Sequence, residues 1–231
     1  MNIPAQKRPL DTRFMSPLQV SPCTGWHKKI AFFLLEQGAD VNYIAERKLC
    51  SDGYPVLFEN EKQKMKENET FVFTALPSNT EELKVLPEAS LDTPFKTASL
   101  TVCALCAYAE NKEKGLEMLN LLRGSRPMNG MEISFINDRF RGGKTYIPFS
   151  YFVGATPDNN YVPNKPYKII VESNNTSREE NGYMKLFISS SGADSPRPIK
   201  LRVRNSDGKW FLWEQYLLTA IREPRALDPW A

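Results

Sequence analysis

The chain has 231 residues, 41% of them hydrophobic and 25% charged, with 17 prolines against 12 glycines. This composition excludes a fibrous or wholly disordered chain and fits one domain of roughly 150 residues with a smaller appendage. The formal net charge of +3 is carried by residues 1–66, which hold 10 Lys/Arg against 7 Asp/Glu, while 67–231 hold 20 of each, so the larger part has no general basic field for nucleic acid.

No stretch approaches the roughly 18 apolar residues of a membrane span, and MNIPAQKRPLDTRF lacks the apolar core of a secretory signal. The expectation is a cytoplasmic protein without a membrane partner. In chain order, Ile30 to Leu35 has helical spacing and Gly38 stands where a left-handed cap belongs. The pattern Leu34 to Asn42, LLEQGADVN, resembles the end of an ankyrin repeat. Ser16-Pro17-Leu18 falls where such a repeat would start, and Asp52 to Leu57 looks like the start of a second copy. Pro22 interrupts the first helix of that pattern, and Trp26 replaces its turn glycine. The resemblance, over residues 16–57, therefore implies a degenerate remnant, because stacked repeats need about three neighbours to bury a core. The charged run ENEKQKMKENE after Leu57 reads as a solvated linker, which sets the division at 1–66 and 67–231.

Beyond Phe71-Val-Phe73, a short apolar run, helix signals accumulate. Ser78-Asn-Thr-Glu81 has the capping-box form and Pro87 limits the short helix it opens. Thr93-Pro94 pairs a cap with a first-turn proline ahead of FKTASLTVCALCAYAE, whose apolar residues run nearly all round and mark the central helix. Lys112 to Arg123 is amphipathic, with Leu116, Leu119 and Leu122 inward and Gly124 as its stop; Asn129 with Glu132 opens MEISFINDRF, which leads to Gly142-Gly143. The period then changes to two. Tyr167–Val171, Met184–Ile188, Ile199–Val203 and Lys209–Trp213 read as four strands, the last two joined through Asn205-Ser-Asp-Gly208. Helices followed by a four-stranded antiparallel meander define an α+β fold.

The segments FVFTALPSNTEELKVLPEASLDTPFKTASLTVCALCAY, SYFVGATPDNNYVPNKPYKIIV, SGADSPRPIKLRVR and GKWFLWEQYLL, spread over 71–231, resemble a domain family of Gram-positive, largely gut-dwelling bacteria whose function is uncharacterised. The resemblance implies a bacterial source and one integral domain. It supplies no activity, cofactor or catalytic residue.

The candidate chemistry is sparse. Cys103-Ala-Leu-Cys106 has the spacing of redox and zinc sites, but a zinc site needs two further ligands, and His27, Cys23 and Cys50 all lie in the other segment. The pair reads as two small core residues, and no metal or cofactor is expected. Arg141-Gly-Gly-Lys-Thr145 lacks the first glycine of a phosphate loop, since Asp138 stands there, and Tyr146-Ile-Pro148 follows where a helix should begin. Asp138, Asp158, Asp194 and Glu214 are the carboxylates near turn or strand ends that a hydrolase could recruit. The clearest directional signal is Ile199-Lys-Leu-Arg-Val-Arg204, in which Lys200, Arg202 and Arg204 share one strand face and Ile199, Leu201 and Val203 the other. Lys209, Phe211 and Trp213 can join the basic face, opposed by Glu172 and Glu214. Three readings follow: a non-enzymatic protein-interaction module, favoured because the ankyrin-like piece implies a protein partner; a binder of acidic ligand or single-stranded nucleic acid through the basic face; and a hydrolase with an unmarked carboxylate site.

Overall fold

The computed structural model describes residues 67–227, and the ankyrin-like stretch lies outside them. Strand β1, Asn68–Phe73, alternates so that Phe71 and Phe73 enter the core while Val72 faces out. Helix α1, Thr80–Lys84, is capped by Asn79, whose side chain accepts the amides of Glu81 and Glu82. The cap thus sits one residue later than the capping-box reading: Ser78 instead gives its own amide to the Glu82 carboxylate at 2.8 Å.

Helix α2, Pro94–Glu110, starts as its sequence requires, with Thr93 accepting the Lys96 amide and Pro94 in the first turn. It touches all five strands, and Ala98, Leu100, Val102, Cys103, Ala104 and Leu105 are fully buried. Each such leucine contributes about 2 kcal/mol by leaving water. Its buried hydroxyls are satisfied by backbone: Thr97 donates to the Trp210 carbonyl at 2.8 Å, tying the helix to the sheet, and Thr101 donates to the Thr97 carbonyl at 2.7 Å. Asn111 ends α2 and caps α3, Lys112–Arg123. Leu119 and Leu122 are buried as the spacing predicts, whereas Leu116 is only half-buried and Met118 takes the inward place. Gly124 stops α3 with φ +63°, and the Phe211 ring packs where its side chain would be.

Helix α4, Gly130–Arg139, carries the full capping box of Asn129 and Glu132. A 3-10 stretch, Arg141–Tyr151, follows, with Gly142 and Gly143 both left-handed. This is a glycine-rich helix exit and presents no phosphate-loop helix.

The sheet has five strands, one more than the four read from the sequence, in the order β1-β2-β3-β4-β5 and antiparallel throughout. Its remaining members are β2, Tyr167–Glu172; β3, Tyr183–Ile188; β4, Arg197–Val203; and β5, Trp210–Gln215. The added strand is β1, which pairs with β2 along its whole length, Asn68 opposite Glu172 through Phe73 opposite Tyr167. The architecture is α+β, with α2 against one side of an open sheet. Among the described residues no helix is long and apolar enough to cross a membrane.

Candidate interaction site on the outer sheet face

Alternation along the strands sends Ile169, Val171, Met184, Leu186, Ile199 and Leu201 into the core and their neighbours to the side away from α2. On that outer side β3 presents Tyr183, Lys185 and Phe187, and β4 presents Pro198, Lys200 and Arg202. Register sets Tyr183 opposite Arg202 and Lys185 opposite Lys200. Two like charges in directly opposed positions are locally unfavourable.

Strand β5 adds the decisive irregularity. Lys200 pairs with Glu214 and the next residue, Leu201, pairs with Leu212, so Trp213 is an extra residue in a β-bulge. A bulge re-aims side chains and recurs beside functional sites. Here it sets Trp213 beside Glu214 on the outer face, where its ring meets Tyr183 edge-on at 5.5 Å between centroids. Two guanidiniums lie over the indole, Arg126 from the α3–α4 loop at 4.2 Å and Arg202 at 4.8 Å. The Tyr183 ring carries Lys200 at 4.5 Å and Arg202 at 5.3 Å. Arg204 lies over Phe211 at 4.5 Å.

The basic face of β4 is therefore a ladder of cations on rings, and most of its charges are already answered. Lys200 bonds Glu180, from the β2–β3 connection, at 2.6 Å, and this hydrogen bond raises its pKa. Arg204 holds Asp207 through a fork whose Nε–Oδ1 arm measures 2.9 Å, keeping the Asp207 carboxyl down at about 2. Arg126 lies 3.5 Å from Glu132. Arg202 differs: it is exposed, stacked on two rings, and among the described residues no hydrogen bond or ion pair engages its guanidinium. Beside it runs a groove of about 480 Å³ lined by Glu179, Glu180, Tyr183, Lys185, Lys200 and Glu214.

Of the residues singled out from the sequence, Lys200, Arg202 and Trp213 come together and Arg204 continues the row. Lys209 does not join them. The fifth strand begins at Trp210, and Lys209 sits in the hairpin turn, its amide on Asp207 at 3.3 Å. Sequence reasoning missed Tyr183, Lys185, Glu180 and Arg126. The Tyr-Met-Lys-Leu-Phe alternation of 183–187 could have found the first two; Arg126, 87 residues before Trp213, left no local trace.

Each of the remaining candidates has its own packing or local partner. Cys103 and Cys106 are buried in the middle of α2, and burial pushes both thiols well above their ordinary pKa. Asp138 pairs with Arg141 at 3.4 Å, Asp158 with Arg225 at 3.0 Å and Asp194 with Arg222, while Glu214 accepts the Tyr216 hydroxyl at 3.2 Å. No ion pair or hydrogen bond among the described residues links one of these four carboxylates to another, and no His/Cys/Asp/Glu cluster there could hold a metal.

Comparison with protein families matches residues 75–225 to a domain of unknown function, DUF6935. The match covers well over half of the chain, which belongs to this family. The ankyrin-like stretch falls outside the match. Neither the curated proteins nor the solved structures contain a match to the chain.

Proposed function

We propose that the protein is a non-enzymatic protein-interaction module that receives its partner on the outer sheet face, in the bacterial setting that the family resemblance implies. The observation that carries this reading is the bulge that aims Trp213 into a cluster with Tyr183, Arg126 and Arg202. Trp, Tyr and Arg are the side chains that most often dominate protein interfaces. Rings and guanidiniums already stacked on one another lose little further freedom on binding, which removes part of the ordering cost of association.

Single-stranded nucleic acid is less well served. Its bases need free ring faces, whereas Trp213, Tyr183 and Phe211 each already carry a cation. Glu179, Glu180 and Glu214 in the groove also oppose a continuous phosphate chain. Asp138, Asp158 and Asp194 are each paired with an arginine and Glu214 with the Tyr216 hydroxyl, which lends a hydrolase reading no support.

Site-specific photo-crosslinking tests the proposal. A photoreactive residue is placed at Lys185 on the outer face or at the exposed Val85 after α1, and the full chain is irradiated in bacterial lysate with and without nuclease. Protein capture at 185, absent at 85 and lost on Trp213→Ala, is expected. Equal capture at both positions, or capture that nuclease abolishes, would overturn the reading.

A further inference from the structure

The outer strand face carries four cations, Lys168, Lys185, Lys200 and Arg202, against two carboxylates, Glu172 and Glu214. The chain meets the charge of Lys200 with Glu180 and, further along the row, that of Arg204 with Asp207. Arg202, the central cation, receives only rings. A guanidinium stacked on aromatics keeps its rim of N–H donors pointing outward in a fixed fork, and that fork matches a carboxylate in two parallel bonds. The like-charged pair Lys185 and Lys200 next to it is a local cost that an anion placed between the strands relieves.

Resting on the protein-interaction reading, we infer that Arg202, held by Tyr183 and Trp213, is a carboxylate-recognition residue, and that the partner presents an Asp or Glu side chain of an acidic peptide segment to it. Charge complementarity chooses this occupant. One carboxylate satisfies the unpaired fork, and the spaced charges of a peptide can pass Glu179, Glu180 and Glu214 where a phosphodiester chain meets repulsion at each.

The test uses the full ¹⁵N-labelled chain and three probes: a capped alternating Ala-Glu octapeptide, the same peptide with Gln for Glu, and an octamer of deoxythymidine. The readout is the Trp213 indole N–H cross-peak, assigned with Trp213→Phe. The expected result is a saturable shift with the Glu peptide alone. Arg202→Gln should abolish it and Arg202→Lys should weaken it by about tenfold, because the point charge remains but the fork is lost. Unchanged spectra elsewhere show that both variants stay folded. Glu-peptide binding that survives Arg202→Gln overturns the inference, as does an Arg202-dependent shift with the oligonucleotide and none with the peptide. No shift with any probe, while crosslinking at 185 still captures a protein, overturns the carboxylate role and leaves the interaction reading standing; loss of both removes the two together.

Discussion

Gly115 of α3 lies directly against the backbone of Tyr108 in α2, so close that a Cβ on Gly115 would fall inside the van der Waals shell of the Tyr108 Cα and amide nitrogen. Only glycine lets the two helices approach so closely after the short turn at Asn111. Because the obstacle is backbone rather than a flexible side chain, the pair cannot relax locally. Gly115→Ala should cost about 3 kcal/mol, at the upper end of overpacking, and lower the melting temperature by roughly 10 °C. A thermal melt within 2 °C of the parent chain would show that the helices part without penalty.

Arg123 and Glu132 define an acid-sensitive joint. Arg123 is almost fully buried; its Nη2 bonds Glu132 at 2.8 Å and its Nε bonds the Arg126 carbonyl at 2.9 Å. Partial burial alone would raise the Glu132 pKa, but the Asn129 amide and the charge of Arg123 outweigh it and hold the carboxyl below its ordinary 4.5. A folded pKa below the unfolded one gives stability that is present above about pH 4.5 and lost as pH falls through the folded value. Glu132→Gln keeps the cap but leaves the guanidinium uncompensated. It should cost about 2–3 kcal/mol at pH 7, less than for a fully dry pair because Glu132 is partly exposed. The variant's urea stability should also fall less between pH 5 and 3 than that of the parent. Parallel pH profiles for the two chains would contradict the assignment.

The helices were legible because their signals are local. Thr93-Pro94, Asn111, and Asn129 with Glu132 each lie within one turn of the groups they cap. The first cap was misplaced by one residue because Ser78 and Asn79 can both cap, and only the fold decides which side chain accepts the amides of Glu81 and Glu82. Strand β1 escaped because three apolar residues after a charged run specify nothing alone; its partner β2 lies almost a hundred residues on. The candidate site was half-legible for the same reason. Alternation placed Lys200 and Arg202 on one face, but the bulge at Trp213, the reach of Glu180 to Lys200 and the arrival of Arg126 depend on register and loop paths that no periodicity records.

The two cysteines of α2 should be chemically silent in the folded chain. Thiolates react and thiols do not, and burial raises the pKa of both Cys103 and Cys106. With Cys23 and Cys50 replaced by serine, an aromatic disulfide reagent should release no chromophore from the native chain and two equivalents after unfolding in guanidinium. Reaction of either thiol faster than global unfolding would show that α2 opens to solvent.

Strand β1 precedes the matched family span, which begins at residue 75, yet Phe71 and Phe73 are 7% and 2% exposed and belong to the main core. The strand therefore completes the fold, covering the side of β2 that would otherwise be an open edge. Phe73→Ala should cost about 3–5 kcal/mol, the range for emptying a buried aromatic site. Shortened chains give a graded test. One beginning at residue 67 should melt cooperatively. One beginning at 71 keeps both phenylalanines but loses the pairing of Asn68, Glu69 and Thr70 with Glu172, Val171 and Ile170, and should melt at a lower temperature. One beginning at 75 loses two core rings and the whole β1–β2 ladder, and should melt without a cooperative transition or aggregate through the exposed edge. Equal melting of the chains beginning at 67 and 75 would show that β1 is dispensable.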